Sequence, residues 1–189
     1  MLQFLASAFL KLFGWDAVQG LPKFKKYVLI GAPHTSNWDF VLAMLVALAI
    51  GLRFKWLGKH TLFKNPFGYV LKFFGGIPID RTIHSSVIER VAEMFNNSER
   101  LVIAITPEGT RSKTEFWKSG FYYIALNAKV PVAFAFLDYE NKKIGVGDHF
   151  IPCGDIDADM QIIRNFYSGI KGKRPEKQGE VRVRQKENY

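Results

Sequence analysis

Short apolar blocks separated by polar turns predict alternating strands and helices along most of the chain. The segments 26–31 and 101–105 are continuous apolar runs, which is typical of central strands covered on both faces. Further strands are predicted at 53–57, 77–81, 130–136 and 142–146. Helices are predicted at 38–50, 66–74, from Ser86 to about 96, and from 115 or 118 to 127. This order predicts an α/β fold with a mostly parallel central sheet flanked by helices.

The first fifteen residues form an apolar stretch shorter than the ~20 residues that span a bilayer. On a helix, one face would carry Leu2, Leu5, Phe9, Leu12 and Phe13. We predict an amphipathic, membrane-associating helix within residues 1–20. A helix packed on the protein's own core is an equally good interpretation. Residues 38–50 are also too short to cross a membrane and are predicted to form a core helix.

At 189 residues, the chain is long enough for one domain, which we assign to 1–189. The formal net charge is +9, with a positive first half and a basic tail over 171–189 that we expect to be partly mobile. Such a charge suits an anionic membrane surface, a phosphorylated substrate or a nucleic acid. Nucleic acid is the weakest of these partners because no RNA-binding or helix-turn-helix signature occurs.

Cysteine usage and the spacing of possible ligands limit the chemistry further. Cys153 is the single cysteine of the chain, so no internal disulfide is possible and a cytoplasmic location is the natural expectation. No cluster with the ligand spacing of a zinc site occurs. We therefore predict no metal and no cofactor.

A histidine and an aspartate stand five residues apart at the end of the first predicted central strand. Asp39 can orient the imidazole of His34, which then acts as a general base towards a substrate hydroxyl. The alternative is structural: Ser36-x-x-Asp39 also has the spacing of a helix cap. By itself the pair is weak evidence for catalysis.

Two further polar clusters follow predicted strands. Gly76 to Arg81 ends in an arginine that can grip a phosphate through a bidentate fork. The second cluster, from Thr106 to Lys113, contains the carboxylate of Glu108 and a flexible turn at Gly109. It also contains two cations, Arg111 and Lys113. Because ligands bind beyond the carboxyl ends of parallel strands, we expect His34, Arg81 and Glu108 to share one edge of the sheet.

These blocks, with Val130-Pro131-Val132, resemble in their order the glycerolphosphate and lysophosphatidic acid acyltransferase family. The resemblance covers roughly residues 27–138. It implies a peripheral enzyme on the inner face of the membrane, with an acyl thioester of coenzyme A or acyl carrier protein as donor. His34 would be the base and Asp39 its orienting partner. The acceptor, a lysolipid or phosphorylated alcohol, would be bound by Arg81, Glu108, Gly109, Thr110, Arg111, Lys113 and Pro131.

Two other functions are compatible with the same residues. A basic lipid- or nucleic-acid-binding module would account for the charge but not for His34, Asp39 and Glu108 at strand ends. A hydrolase would use the same His–Asp pair to activate water. Many family members have membrane-spanning helices before the first block, and none is predicted here, so we expect an interfacial anchor. The chain is also short for the family, which makes another lysolipid or an amino-acid-derived lipid a credible acceptor in place of the usual lysophosphatidate.

Overall fold

A seven-stranded sheet forms the centre of the molecule in the computed structural model, which describes residues 1–64, 66–80 and 84–184. The strands are β1 (Asp16–Gln19), β2 (Lys26–Ala32), β3 (Lys55–Lys59), β4 (Gly76–Ile79), β5 (Leu101–Ile105), β6 (Val132–Asp138) and β7 (Lys143–Phe150). Their order is β1-β7-β6-β2-β5-β3-β4. All neighbours are parallel except β6 and β7. The predicted α/β fold with a mostly parallel sheet is confirmed.

Helices cover both faces of this sheet. They are α1 (Leu2–Leu12), α2 (Trp38–Ile50), α3 (Phe67–Phe73), α4 (His84–Asn96), α5 (Gly120–Ala128) and α6 (Ile156–Tyr167). Strand β2 shows the division, since Val28 and Ile30 join the core beneath α4, α5 and α6, whereas Leu29 faces the other side. There α1 and α2 pack together over β6 and β7. The central position of β2 places the loop that follows it between the two layers.

The structure corrects several boundaries. Strand β1 and helix α6 were not predicted, and the segment 1–20 is helical only to Leu12. Helix α4 begins at His84, so Ser86 lies inside it and is not its cap. Helix α5 begins at Gly120, later than predicted, because the preceding residues pair with the C-terminal segment: Trp117 bridges to Val183.

The C-terminal segment contacts the rest of the protein as far as residue 184, and the partial mobility of the tail stays a prediction. The N–H of Trp117 donates to the carbonyl of Arg182 at 2.7 Å. The N–H of Arg174 donates to Thr35 Oγ1 at 3.1 Å, directly beside the loop after β2. Residues 185–189 lie outside the described part of the chain. The segment therefore connects the loop after β5 to the loop after β2.

Helix α2 is only partly a core helix. Val46, Ala47 and Ala49 are buried, but Trp38 and Leu48 on its other side are exposed. Helix α1 is divided in the same way: Ala6 and Leu10 are buried, whereas five of its large apolar side chains are exposed, at Leu2, Phe4, Leu5, Phe9 and Leu12. One side of the N-terminal helix thus packs on the protein's own core, and membrane association of its exposed side stays a prediction. Within the described residues, every helix is too short or too polar to span a bilayer.

Tyr167 joins the ends of two neighbouring strands. Its buried hydroxyl lies 3.0 Å from the carbonyl oxygen of Ile30 in β2 and 2.9 Å from that of Ala135 in β6. Burial raises the pKa of this hydroxyl well above its ordinary value, so it remains a donor. A buried carbonyl without a partner costs free energy, so this hydroxyl stabilises the sheet at its carboxyl edge.

We predict that Tyr167→Phe lowers the free energy of unfolding by about 1–3 kcal/mol, because the two carbonyl groups lose this donor. Urea denaturation followed by circular dichroism measures the change. Tyr69→Phe is the matched control, since that tyrosine is 79% exposed and its hydroxyl should matter by less than about 0.5 kcal/mol. Equal stability of the two variants would contradict this role of Tyr167.

Candidate active site

His34 lies in the loop that leaves the carboxyl end of β2. The strand is buried and apolar, whereas the His34 side chain is 20% exposed. The loop ends where α2 begins at Trp38. A short polar loop after a buried central strand thus brings an accessible imidazole to the edge of the sheet, where ligands of open α/β folds bind.

Asp39 lies in the first turn of α2 and is almost completely buried. Its Oδ2 is 3.4 Å from Nδ1 of His34, and the same oxygen accepts the N–H groups of Thr35 and Ser36, each at 2.8 Å. Its Oδ1 accepts the hydroxyl of Tyr139 at 2.8 Å. Asp39 therefore makes the contacts expected of both interpretations: it accepts backbone N–H groups at the start of the helix, and it contacts the ring of His34.

The surroundings keep Asp39 ionised. Burial acts to raise the pKa of this carboxyl, but hydrogen bonds from His34, Tyr139 and the Ser36 N–H outweigh burial and hold the pKa below its ordinary value. A carboxylate at Nδ1 favours the tautomer in which Nδ1 carries the proton and Nε2 has a free lone pair. Nε2 is then the atom that can accept a proton from a substrate.

Glu108 lies beneath the same loop. It is 5% exposed, and its Oε2 accepts the backbone N–H of His34 at 2.7 Å. Burial raises the pKa of this carboxyl to about 6, although the hydrogen bond from His34 acts in the opposite direction. The residue thus supports the loop after β2 from the neighbouring strand end, because β5 pairs with β2 in parallel. Its contact with a substrate hydroxyl stays a prediction.

The residues after Glu108 form an open turn. Gly109 has a φ of +67°, which favours glycine, and its N–H donates to the carbonyl of Thr106 at 3.0 Å. Thr110 accepts the N–H of Ser112, while Arg111 and Lys113 are exposed. This places two cations on the loop that follows β5, at the edge where β2 also ends. The arrangement suits an anionic group of a substrate.

The sequence of the chain matches a known protein family. The family model described as Acyltransferase matches residues 17–134, which is more than half of the chain. The chain belongs to the Acyltransferase family. No curated protein matches it in sequence.

A solved structure shares the fold of this acyltransferase. The crystal structure of the 1-acyl-sn-glycerophosphate (LPA) acyltransferase PlsC from Thermotoga maritima superposes with a TM-score of 0.62. The match covers 92% of this chain and 79% of that chain, at 16% sequence identity. At this identity the similarity concerns the fold, including its central sheet and flanking helices.

One of the predicted substrate-binding residues, Pro131, does not join this cluster. Pro131 lies just before β6, and its carbonyl accepts the N–H of Val28 at 2.9 Å. Because β2 and β6 are parallel, this position is at the amino end of the strands, opposite to His34. Pro131 therefore lies at the start of a sheet ladder rather than beside the imidazole. Arg81 lies outside the described residues.

Several residues at the site of this acyltransferase were missed by the sequence analysis. Tyr139 directly follows β6, and Lys118 packs its side chain along Gly109, where a Cβ would come within 3.0 Å of Lys118 Cε. Nζ of Lys173 lies over the Trp38 ring, 5.2 Å from the ring centroid, next to the loop after β2. Because Tyr139 directly follows a strand, its position in the sequence could have indicated that it lies near the site. Lys118 and Lys173 arrive through tertiary contacts that no local pattern indicates.

We predict that Glu108→Gln changes how the stability of this acyltransferase depends on pH. A carboxyl whose pKa is raised on folding, here from 4.5 to about 6, contributes stability below pH 4.5 that is lost as the pH rises through 6. Glutamine cannot lose a proton but keeps an oxygen for the His34 N–H. The variant should therefore gain stability relative to the wild type by about 2 kcal/mol across this interval.

Urea unfolding of both proteins at several pH values measures the difference. Asp39 has a lowered pKa and hence the opposite dependence, but it is present in both proteins, so the comparison cancels its contribution. Parallel stability curves for the two proteins between these pH values would contradict the raised pKa of Glu108.

Proposed function

We propose that this protein is an O-acyltransferase that moves a fatty acyl group from acyl-CoA or acyl carrier protein to a hydroxyl group of a lysophospholipid or related phosphorylated acceptor. The observation that carries the proposal is the pairing of His34 with a buried, ionised Asp39 at the carboxyl edge of the sheet, in a chain of the Acyltransferase family. The name of the structural neighbour, an LPA acyltransferase, supports a lysophospholipid as acceptor.

The proposed reaction is a direct transfer. The acceptor hydroxyl gives its proton to Nε2 of His34 while its oxygen attacks the thioester carbon, forming the new C–O bond. Asp39, 3.4 Å behind the ring, stabilises the imidazolium that results. The tetrahedral intermediate collapses by breaking the C–S bond, and the thiolate leaves with the proton returned from Nε2. No acyl group becomes attached to the protein at any step, and the proton taken from the hydroxyl group ends on the released thiol.

Binding of the acceptor is proposed at the loop after β5. Arg111 and Lys113 are exposed there, and the turn at Gly109 brings the backbone close to a ligand. An anionic headgroup held by these cations, together with Arg81, would place its hydroxyl near His34. Lys118, packed along Gly109, adds a further cation at the same loop. The pairing of guanidinium and ammonium groups with a phosphate is a common mode of recognition.

A peripheral position on the inner face of the membrane is also proposed. The pair of helices α1 and α2 exposes large apolar side chains on the surface away from the sheet, including Phe9 at 48%, Leu12 at 80% and Trp38 at 58%. Helix α3 adds Tyr69 and Phe73, which are 79% and 85% exposed. Exposed apolar clusters of this kind suit a lipid surface. The net charge of +9 would favour an anionic one.

Replacing the proposed base tests the reaction. We predict that His34→Ala lowers kcat for acyl transfer to a lysophospholipid by about 100-fold or more, while the melting temperature changes little. His149→Ala is the matched control, because that histidine lies 3.9 Å from Asp148 in an exposed pair elsewhere. It should retain full activity. Near-normal turnover by His34→Ala would contradict the proposal, as would faster release of free fatty acid than of acylated acceptor by the wild type.

Replacing exposed apolar residues of α1 tests membrane binding. We predict that Phe9→Ser together with Leu12→Ser reduces co-sedimentation with anionic phospholipid vesicles by about tenfold, because the side chains no longer leave water. The control is Ile151→Ser together with Ile162→Ser, since these two side chains are also exposed, at 66% and 44%, but Ile151 follows β7 and Ile162 lies on α6. Equal loss of binding in both pairs would contradict a membrane surface formed by α1.

A further inference from the structure

Tyr139 is placed to control the geometry of the His34–Asp39 pair. It follows β6, 100 residues after Asp39, and donates its hydroxyl to Asp39 Oδ1 at 2.8 Å. The other oxygen, Oδ2, faces His34 and accepts two backbone N–H groups. The terminal torsion of an aspartate is broad and roughly two-fold, so rotation about it would carry Oδ2 away from the ring. A donor at Oδ1 opposes that rotation.

Tyr139 is itself held by two further contacts. Its N–H donates to the carbonyl of Lys171 at 2.9 Å, which joins it to the C-terminal segment. Its ring packs edge-on against Trp15, with ring centroids 5.0 Å apart and an angle of 85° between the planes. Trp15 is buried in the core shared by α1 and α2. The tyrosine therefore joins the catalytic loop to the segment that follows the N-terminal helix.

Electrostatics support the same arrangement. Burial and the nearby Asp39 raise the pKa of Tyr139, so the hydroxyl stays protonated and donates. Its hydrogen bond in turn helps to lower the pKa of Asp39. Glu108 is a further titratable group close to the pair, and its contact with the backbone of His34 does not involve Tyr139. Lys171 pairs with Glu140 at 2.8 Å and fixes the backbone next to Tyr139 from outside.

We infer that Tyr139 is a positioning residue for the His34–Asp39 pair and that Trp15 holds Tyr139 in place, so that packing of the N-terminal helix contributes to the catalytic geometry. This inference rests on the proposed function, since it assigns a role within the same reaction. Tyr139 acts through Asp39 and makes no contact with the reacting atoms. Its loss should therefore slow turnover without changing substrate binding.

The direction of the effect on protonation follows from the charges. The Tyr139 hydroxyl holds Asp39 Oδ2 towards the ring, where the carboxylate stabilises a protonated imidazole. Without that hydroxyl the oxygen can turn away from the ring, so the ring of His34 should lose its proton at a lower pH. A residue that only stabilises the fold would leave this titration unchanged.

The test is Tyr139→Phe in the full-length protein, which removes one oxygen and keeps the ring. We expect kcat to fall about tenfold with KM unchanged within about twofold. The titration midpoint of the His34 imidazole, followed by ¹⁵N NMR and assigned by its loss in His34→Ala, should move to lower pH. Unchanged kcat together with an unmoved titration would overturn the inference.

Tyr122→Phe is the matched control. The Tyr122 hydroxyl also donates to a buried aspartate, Asp159 Oδ2 at 2.9 Å, but on α5 and α6 in the core. This variant should lose stability to a similar extent while keeping kcat and the His34 titration of the wild type. If Tyr122→Phe reduces kcat as much as Tyr139→Phe does, the effect is one of general stability and the inference fails.

A second variant tests the contact with Trp15 and does not depend on Tyr139→Phe folding well. Trp15→Leu should lower kcat severalfold, and the loss should be less than additive in a Tyr139→Phe background, because both act through one hydrogen bond. Full additivity would contradict the coupling. An inactive His34→Ala with a fully active Tyr139→Phe would reject this inference and leave the proposed function intact, whereas an active His34→Ala would reject the proposed function itself.

Discussion

The buried carboxylate of Asp39 is the constraint on which the candidate site depends. A charge removed from water is tolerated only when hydrogen bonds replace the lost hydration. Here the replacements come from separate parts of the chain: the N–H groups of Thr35 and Ser36, the ring of His34 and the hydroxyl of Tyr139. Satisfying the carboxylate therefore fixes the loop after β2, the start of α2 and the end of β6 relative to one another.

Two carboxylates at one sheet edge are thereby given different properties. Asp39 has donors at both oxygens and a lowered pKa, which suits a group that stabilises an adjacent cation. Glu108 is also buried, but burial dominates and its pKa is raised to about 6. It accepts from the backbone of His34 rather than from the ring. Environment, not residue type, gives the two carboxyl groups different pKa values, and the orienting role of Asp39 belongs to the proposed function.

The exposed apolar surface begins beside the same edge of the sheet. Helices α4, α5 and α6 complete a buried core on one face of the sheet, whereas α1 and α2 bury only one side of each helix on the other. The loop after β2 leads directly into α2, so the exposed apolar residues of that helix begin next to His34, at Trp38. A lipid substrate approaching this surface would reach the polar edge without crossing the body of the protein.

The sequence by itself determined the central architecture, because buried parallel strands such as 101–105 are continuous apolar runs that few other structures accommodate. It also predicted that His34 and Glu108 share one edge of the sheet, because polar residues directly after parallel strands lie at one edge, whereas the chemical roles of these residues stay predictions. It failed at β1, which is a short edge strand, and at α6, whose apolar spacing at Ile156, Met160, Ile163 and Tyr167 was visible but unused. Only the tertiary structure decided that Tyr139 meets Asp39, that Pro131 lies at the opposite end of the strands, and that the C-terminal segment packs beside the catalytic loop. These contacts join residues up to 139 positions apart, and a local pattern of apolar and polar residues carries no information about such pairings.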